Sequence, residues 1–98
     1  MFARVVISQA SAEKADEVGR IMNDIALAQA RTSPGFQDGV WLFERQSGKI
    51  LTVTVWDTRE SIEAAFPGGG LRSEVATAMQ ALGASPAIIE VYEVLAKA

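Results

Sequence analysis

The side chains of this sequence that could act on a small molecule are Arg4, Asn23, Trp56, Phe66, Arg72 and Tyr92. Trp56 closes an apolar run just before a helix start, where an indole can wall a cleft and donate one hydrogen bond; its plainer role is a core aromatic. Arg4 puts a guanidinium inside a β-like segment, suited either to a carboxylate or phenolate ligand or to pairing with Glu44, Glu90 or Glu93. Tyr92 and Glu90 are two residues apart and share one face of a strand, as an acid–base pair or as a rim contact packed at a dimer face. Phe66 stands beside a glycine run, at a cleft mouth or as a helix-end anchor. Asn23 could hold a carbonyl oxygen, but it lies one position past Met22 and so partly off the apolar stripe, which points to exposure. Arg72, with Glu74, follows the glycines and could close over a ligand or simply begin a solvated helix.

The residue types that are missing narrow the chemistry further. With no cysteine and no histidine among 98 residues, there is no thiol nucleophile, no thiolate for zinc or iron–sulfur, no imidazole base and no proximal haem ligand. No cofactor is expected. Nine basic and twelve acidic residues leave a net charge of −3 without a run of one sign, so phosphate backbones and anionic membranes are not expected partners. The first residues lack a basic segment followed by an apolar run and a cleavage site, and no stretch is long enough to span a bilayer, which reads as cytoplasmic. Gly68, Gly69 and Gly70 only superficially resemble a phosphate loop, because Leu71 and Arg72 stand where Lys and Ser/Thr belong; a hinged lid fits them better.

The elements that must position these groups fit one domain, residues 1–98, with 49% apolar and 21% charged residues. Phe2 to Gln9 is rich in β-branched residues and reads as a first strand. Ser11 is placed to cap a helix from Ala12 to near Arg31, with Ala15, Val18, Met22 and Ile25 on one stripe. Thr32 to Gly39 concentrates turn formers, with Pro34-Gly35 suited to a type II turn. Val40 to Gln46 and Ile50 to Trp56 read as a hairpin about Ser47, Gly48 and Lys49. Asp57 and Glu60 give a capping-box-like start to a helix through Phe66, which Pro67 ends. Leu71 to Leu82 resumes a helical pattern, Gly83 suits its C-terminal cap, and Ala87 to Leu95 reads as a last strand.

This order predicts an α+β fold, β-α-β-β-α-β, with a four-stranded antiparallel sheet and both helical segments on one face. A solvated second face would show clean alternation of apolar and polar residues. Instead Leu51, Val53 and Val55 lie on one side of the third strand and Ile50, Thr52, Thr54 and Trp56 on the other, so both faces look covered. The helices cover only one, and a second copy of the same sheet is the simplest cover for the other: a homodimer through sheet-on-sheet packing.

Ser33-Pro34-Gly35-Phe36 with Gly39, and the run ILTVTVWDTRESIEAAF from Ile50 to Phe66, resemble the antibiotic-biosynthesis-monooxygenase-like proteins. That family forms dimeric α/β barrels from two ferredoxin-like subunits, and the likeness covers essentially the whole chain. Its best element is Trp56-Asp57 with the helix start through Glu60, where the family often places a tryptophan beside its cleft. The resemblance implies several chemistries. Haem-degrading members use an asparagine in the first strand and a histidine; here Ala3 stands near the first position and there is no histidine, so haem degradation is not expected. Cofactor-free oxygenases of the family hold an oxidisable phenol and its anion with asparagine, tryptophan, tyrosine and arginine, of which Trp56 matches by position. Two readings follow: a cofactor-independent monooxygenase of a small aromatic or quinol-like compound, with Trp56, Arg4 and Tyr92 catalytic and Phe66, Asn23 and Arg72 in the cleft; or a non-catalytic dimer that binds a small molecule or serves a stress-related role.

Overall fold

The computed structural model describes residues 1–98. Four strands, β1 (Phe2–Gln9), β2 (Phe36–Phe43), β3 (Lys49–Trp56) and β4 (Ile88–Glu93), form one antiparallel sheet in the order β2-β3-β1-β4. All helices lie over one face, so the predicted α+β, ferredoxin-like arrangement holds. No helix is long and apolar enough to cross a membrane.

The first crossover is a continuous helix over residues 12–31, here α1, but it is not uniform. It opens as a 3₁₀ turn (Ala12–Lys14), runs as α-helix (Ala15–Ile21), widens into a π-helix (Met22–Leu27) and closes as α-helix (Ala28–Arg31). Ser11 precedes it with extended backbone but makes no side-chain cap, contrary to its expected role. The second crossover is α2 (Arg59–Ala65), a 3₁₀ turn (Pro67–Gly69) and α3 (Ser73–Ala81). The cap of α2 is Thr58, one residue later than the Asp57 start expected from sequence: Thr58 Oγ1 accepts from Ser61 N at 3.1 Å, while Asp57 Oδ1 is taken by Thr58 N and Ser61 Oγ. The bond from Ser61 Oγ is the main reason that the Asp57 carboxyl sits below its ordinary pKa. Gly83 ends α3 as expected: with φ 74° it donates to Gln80 O, and Ala84 N reaches back to Met79 O at 3.1 Å, a Schellman closure.

The hairpin differs from its predicted bounds. β2 begins at Phe36, inside the expected turn region, and a register shift between Phe36 and Asp38 absorbs the irregularity. It ends at Phe43; Glu44 N still donates to Lys49 O at 2.8 Å, and the Glu44 carboxylate accepts from Ser47 N and Gln46 N, closing the turn. Those bonds also hold the Glu44 carboxyl below its ordinary pKa. Gly48 closes the turn where nothing larger fits: its φ is 77°, and a Cβ there would lie 1.8 Å from Ala10 O.

Sheet register decides which side chains meet. Arg4, Val6, Ile50, Thr52, Thr54 and Trp56 all face the helices and are buried. Around Ile50 a core forms with Ala10, Val18, Val75 and Met79. The opposite face carries Val5, Ile7, Leu51, Val53 and Val55 in its centre, flanked by Val40 and Leu42 on β2 and Ile88 and Tyr92 on β4, the last four about half exposed or more. The aliphatic face is therefore the open one, and the threonine-bearing face is the buried one.

Candidate functional site

Between the buried sheet face and the helices lies a cavity of about 60 Å³. On a scale where one water needs roughly 10–15 Å³, that is room for about four waters, or at about 30 Å³ of liquid volume each the bulk of one substituted aromatic ring. β1 contributes Arg4, Val6 and Ser8; β3 contributes Ile50, Thr52 and Thr54; α1 contributes Met22, Ala26, Gln29 and Ala30; α3 contributes Val75 and Met79. Trp41, Phe66, Leu71 and Arg72 complete the wall. Strand alternation explains the sheet half: Arg4 pairs with Thr54 and Val6 with Thr52, so one row of alternate residues from each strand points the same way. A second, more open depression lined by Gln29, Phe66, Pro67, Leu71, Arg72, Ser73 and Glu74 shares residues with the first and forms its mouth.

At one end of this largely apolar space stand two guanidinium groups with no carboxylate partner. Arg4 is only 3% exposed, and no acidic group lies within ion-pair distance of it or of Arg72; the single ion pair of the chain joins Lys97 to Asp38 at 3.6 Å. Arg4 Nη2 donates to Gly70 O at 2.8 Å, and its Cζ stacks 3.6 Å from the centre of the Phe66 ring. Arg72 Nε donates to Ala65 O at 3.0 Å, its Nη2 donates to Ser33 Oγ, and its Cζ lies 5.1 Å from the same ring. Ser33 Oγ in turn donates to Gln29 O at 2.9 Å, so Arg72 is tied through one hydroxyl to the end of α1. Burial, and then the neighbouring Arg72 charge, lower the Arg4 pKa to about 10. None of the expected partners Glu44, Glu90 and Glu93 forms an ion pair with Arg4. Glu90 pairs in register with Val5, which puts it on the other sheet face, and its carboxylate accepts from Tyr92 Oη at 2.8 Å.

The structure brings Arg4, Phe66 and Arg72 together at one end of the cavity, but not the rest of the expected set. Trp56 is fully buried beneath it and does not line the cavity: its ring makes edge contacts with Phe36 at 5.5 Å and Phe66 at 5.7 Å, and Nε1 donates to Thr54 Oγ1 at 2.9 Å. It therefore supports Phe66 and Thr54 from behind. The tryptophan in the wall is Trp41, which pairs with Thr52 one strand over. Its alternation with Val40 and Leu42 was visible in the sequence, but not which side the helices would cover. Tyr92 lies on the open face, away from the cavity, with its phenol pKa raised chiefly by the bond to Glu90. Asn23 is exposed and donates to Gly19 O of its own helix at 2.8 Å, beside a separate groove under β2. Sequence reasoning missed Gln29, whose Oε1 is buried without a partner, and the π-helix that precedes it. No local sequence signal marks either.

The polar lining can bind, orient and polarise an anion, but it holds no carboxylate, imidazole or phenol to remove a proton. No family model matches the chain, and no curated protein matches it by sequence. Solved structures do match in fold. A Deinococcus radiodurans protein grouped with the antibiotic biosynthesis monooxygenases superposes with a TM-score of 0.79 at 24% identity, over 100% of this chain and 96% of that one. The Streptomyces coelicolor monooxygenase ActVA-Orf6, in complex with nanaomycin D, gives 0.76 at 15% identity, over 99% and 89%. SnoaB, a cofactor-independent oxygenase from Streptomyces nogalater, gives 0.69 at 19% identity, over 98% and 94%. The chain has the α+β fold of the antibiotic biosynthesis monooxygenases.

Proposed function

We propose that this protein is a cofactor-independent monooxygenase of a small, electron-rich aromatic anion, with Arg4 and Arg72 as the anion site. The observation that carries this reading is a buried guanidinium with no counter-ion, beside a second one, at the polar end of a ring-sized apolar cavity. An unpaired buried charge is costly, and a bound phenolate or carboxylate would offset that cost. The likeness to SnoaB and ActVA-Orf6 supports oxygen chemistry on such a ligand.

The lack of a base fits a substrate that ionises by itself. Two guanidinium groups lower the pKa of a bound hydroxyl, and the electron-rich anion then reduces dioxygen directly. For a hydroquinone the sequence balances without another reductant. The ring anion passes an electron to dioxygen, the pair combines as a ring-carbon hydroperoxide, and the O–O bond breaks as the carbon-bound proton leaves. The products are a hydroxyquinone and one water: one oxygen atom enters the ring, the other departs as water, and the substrate supplies all four electrons. Trp41 and Phe66 give the ring its walls, and Arg4 and Arg72 hold the developing oxyanion. A histidine-ligated haem has no ligand in this chain.

The same lack of an acid–base group in the cavity lining supports a second reading, a dimer that binds an aromatic anion without transforming it. Oxygen uptake by purified protein with hydroquinones and anthrone-like phenols, without added metal or flavin, separates the two. Uptake abolished in Arg4→Met supports the oxygenase; saturable binding with no uptake by any of the panel supports the binding protein. In either case we propose a cytoplasmic homodimer, whose interface is the apolar open face centred on Val5, Val53 and Leu51.

A further inference from the structure

Gln29 holds the one buried side-chain polar atom of the chain with no hydrogen-bond partner, its Oε1. A buried carbonyl left unpaired costs free energy, and native structures seldom tolerate one without a reason. Gln29 also lines both the cavity and its mouth, together with Arg72 and Phe66. Its position is built rather than incidental. The backbone carbonyl of Gln29 accepts from Ser33 Oγ, which holds Arg72, and from Thr32 Oγ1 at 3.0 Å, so the residue is fixed at the arginine end of the cavity. The π-helix immediately upstream sets the turn on which Gln29 sits relative to Met22 and Ala26, which line the same space.

We infer that Gln29 is a specificity-determining residue whose Oε1 takes its missing hydrogen bond from the ligand, so that the preferred ligand is an aromatic monoanion carrying a second, un-ionised donor such as a hydroxyl. This rests on the anion-binding reading of the cavity and deepens it. The two arginines accept only the anionic end; a site built to pair a hydroxyl also rejects the analogue that lacks it, because its own polar atom is then left unpaired. A hydroquinone as its monoanion satisfies both requirements, with one oxygen ionised and the other still a donor. A dianion does not, since it presents two acceptors to one guanidinium pair and an amide oxygen.

The test uses 3- and 4-hydroxybenzoate, the matching methoxybenzoates and benzoate, titrated into the whole protein by NMR. One hydroxybenzoate should bind about tenfold more tightly than its methoxy counterpart and than benzoate. In Gln29→Met that preference should vanish. The comparison among ligands on the unmodified protein needs no variant to fold. Equal binding of hydroxy, methoxy and unsubstituted benzoates overturns the role of Gln29 but leaves the anion site standing. A preference that survives in Gln29→Met overturns it as well, assigning the donor contact to Ser8, Thr52 or Thr54. Absence of binding by every benzoate overturns the anion site and this inference with it.

Discussion

Replacing Arg4 by methionine should leave the fold almost as stable as before while removing most of its affinity for anions. The cost side follows from the pKa, lowered to about 10 by burial first and by the Arg72 charge second: keeping the guanidinium charged in the folded state carries a penalty. Because the folded pKa is depressed, this penalty is present in full below pH 10 and is relieved only as pH rises through about 10 toward the ordinary guanidinium value. On the favourable side are one charged hydrogen bond to Gly70 O, about 1.5–3 kcal/mol, and the stack on Phe66, about 0.5–2 kcal/mol. Methionine keeps apolar packing and removes both sides of the balance. The net change should fall within about 1 kcal/mol, or some 4–8 °C in Tm for a chain of this size. Benzoate affinity should fall by about 30-fold or more, as when one member of a close charge pair is removed. Calorimetry with and without benzoate reads both quantities. A stability loss beyond about 3 kcal/mol would show Arg4 to be a structural residue, and unchanged benzoate affinity would refute the anion site outright.

Trp56→Phe should cost about 1–3 kcal/mol in urea unfolding, because it empties fully buried volume and strips Thr54 Oγ1 of its indole donor; a loss below about 0.5 kcal/mol would contradict its role as the support behind Phe66. Tyr92→Phe should leave benzoate binding unchanged. In the unmodified protein, ultraviolet titration should place the Tyr92 phenol above its ordinary value of 10.0, returning toward it in Glu90→Gln. Since the folded pKa is raised, whatever Tyr92 adds to stability is present below pH 10 and lost as the phenol ionises above it; a weaker benzoate complex in Tyr92→Phe would tie the open face to the site. Val53→Lys, at the centre of the open face between Val5 and Val40, should halve the mass seen by sedimentation to that of one 10.5 kDa chain. A monomeric unmodified protein would remove the proposed interface.

The order of elements could be read from the sequence because periodicity and punctuation agree: β-branched runs for the strands, a 3- and 4-residue apolar stripe on α1, and glycines where positive φ is needed. Gly35, with φ 86°, and Gly83, with φ 74°, are both where turn chemistry puts them. What could not be read was which sheet face the helices cover. Both sides of β3 look covered, and a threonine whose hydroxyl is bonded, as Thr54 Oγ1 is to the indole of Trp56, is as easily buried as a valine. Nor could the choice of face tell the two tryptophans apart. Trp41 and Trp56 share the helix-covered face, but Phe36 and Phe66 fill the space at Trp56 and leave the opening near Trp41. The pairing of Arg4 with Arg72 was hidden for a different reason. Their sequence separation is large, and it is the chain reversal at Pro67–Gly69 that brings the second guanidinium back over β1.

The π-helix in α1 gives the chain one residue more than an α-helical ladder between the same endpoints would need. Removing a single residue from Met22–Leu27 would let the helix close regularly with Gln29 and Ala30 still facing the cavity, whereas removing one from the regular turns Ala15–Ile21 would swing everything downstream by about 100° around its axis. The widened segment therefore acts as a length buffer: it is the stretch of α1 in which the chain can lose a residue without changing which side chains face the cavity.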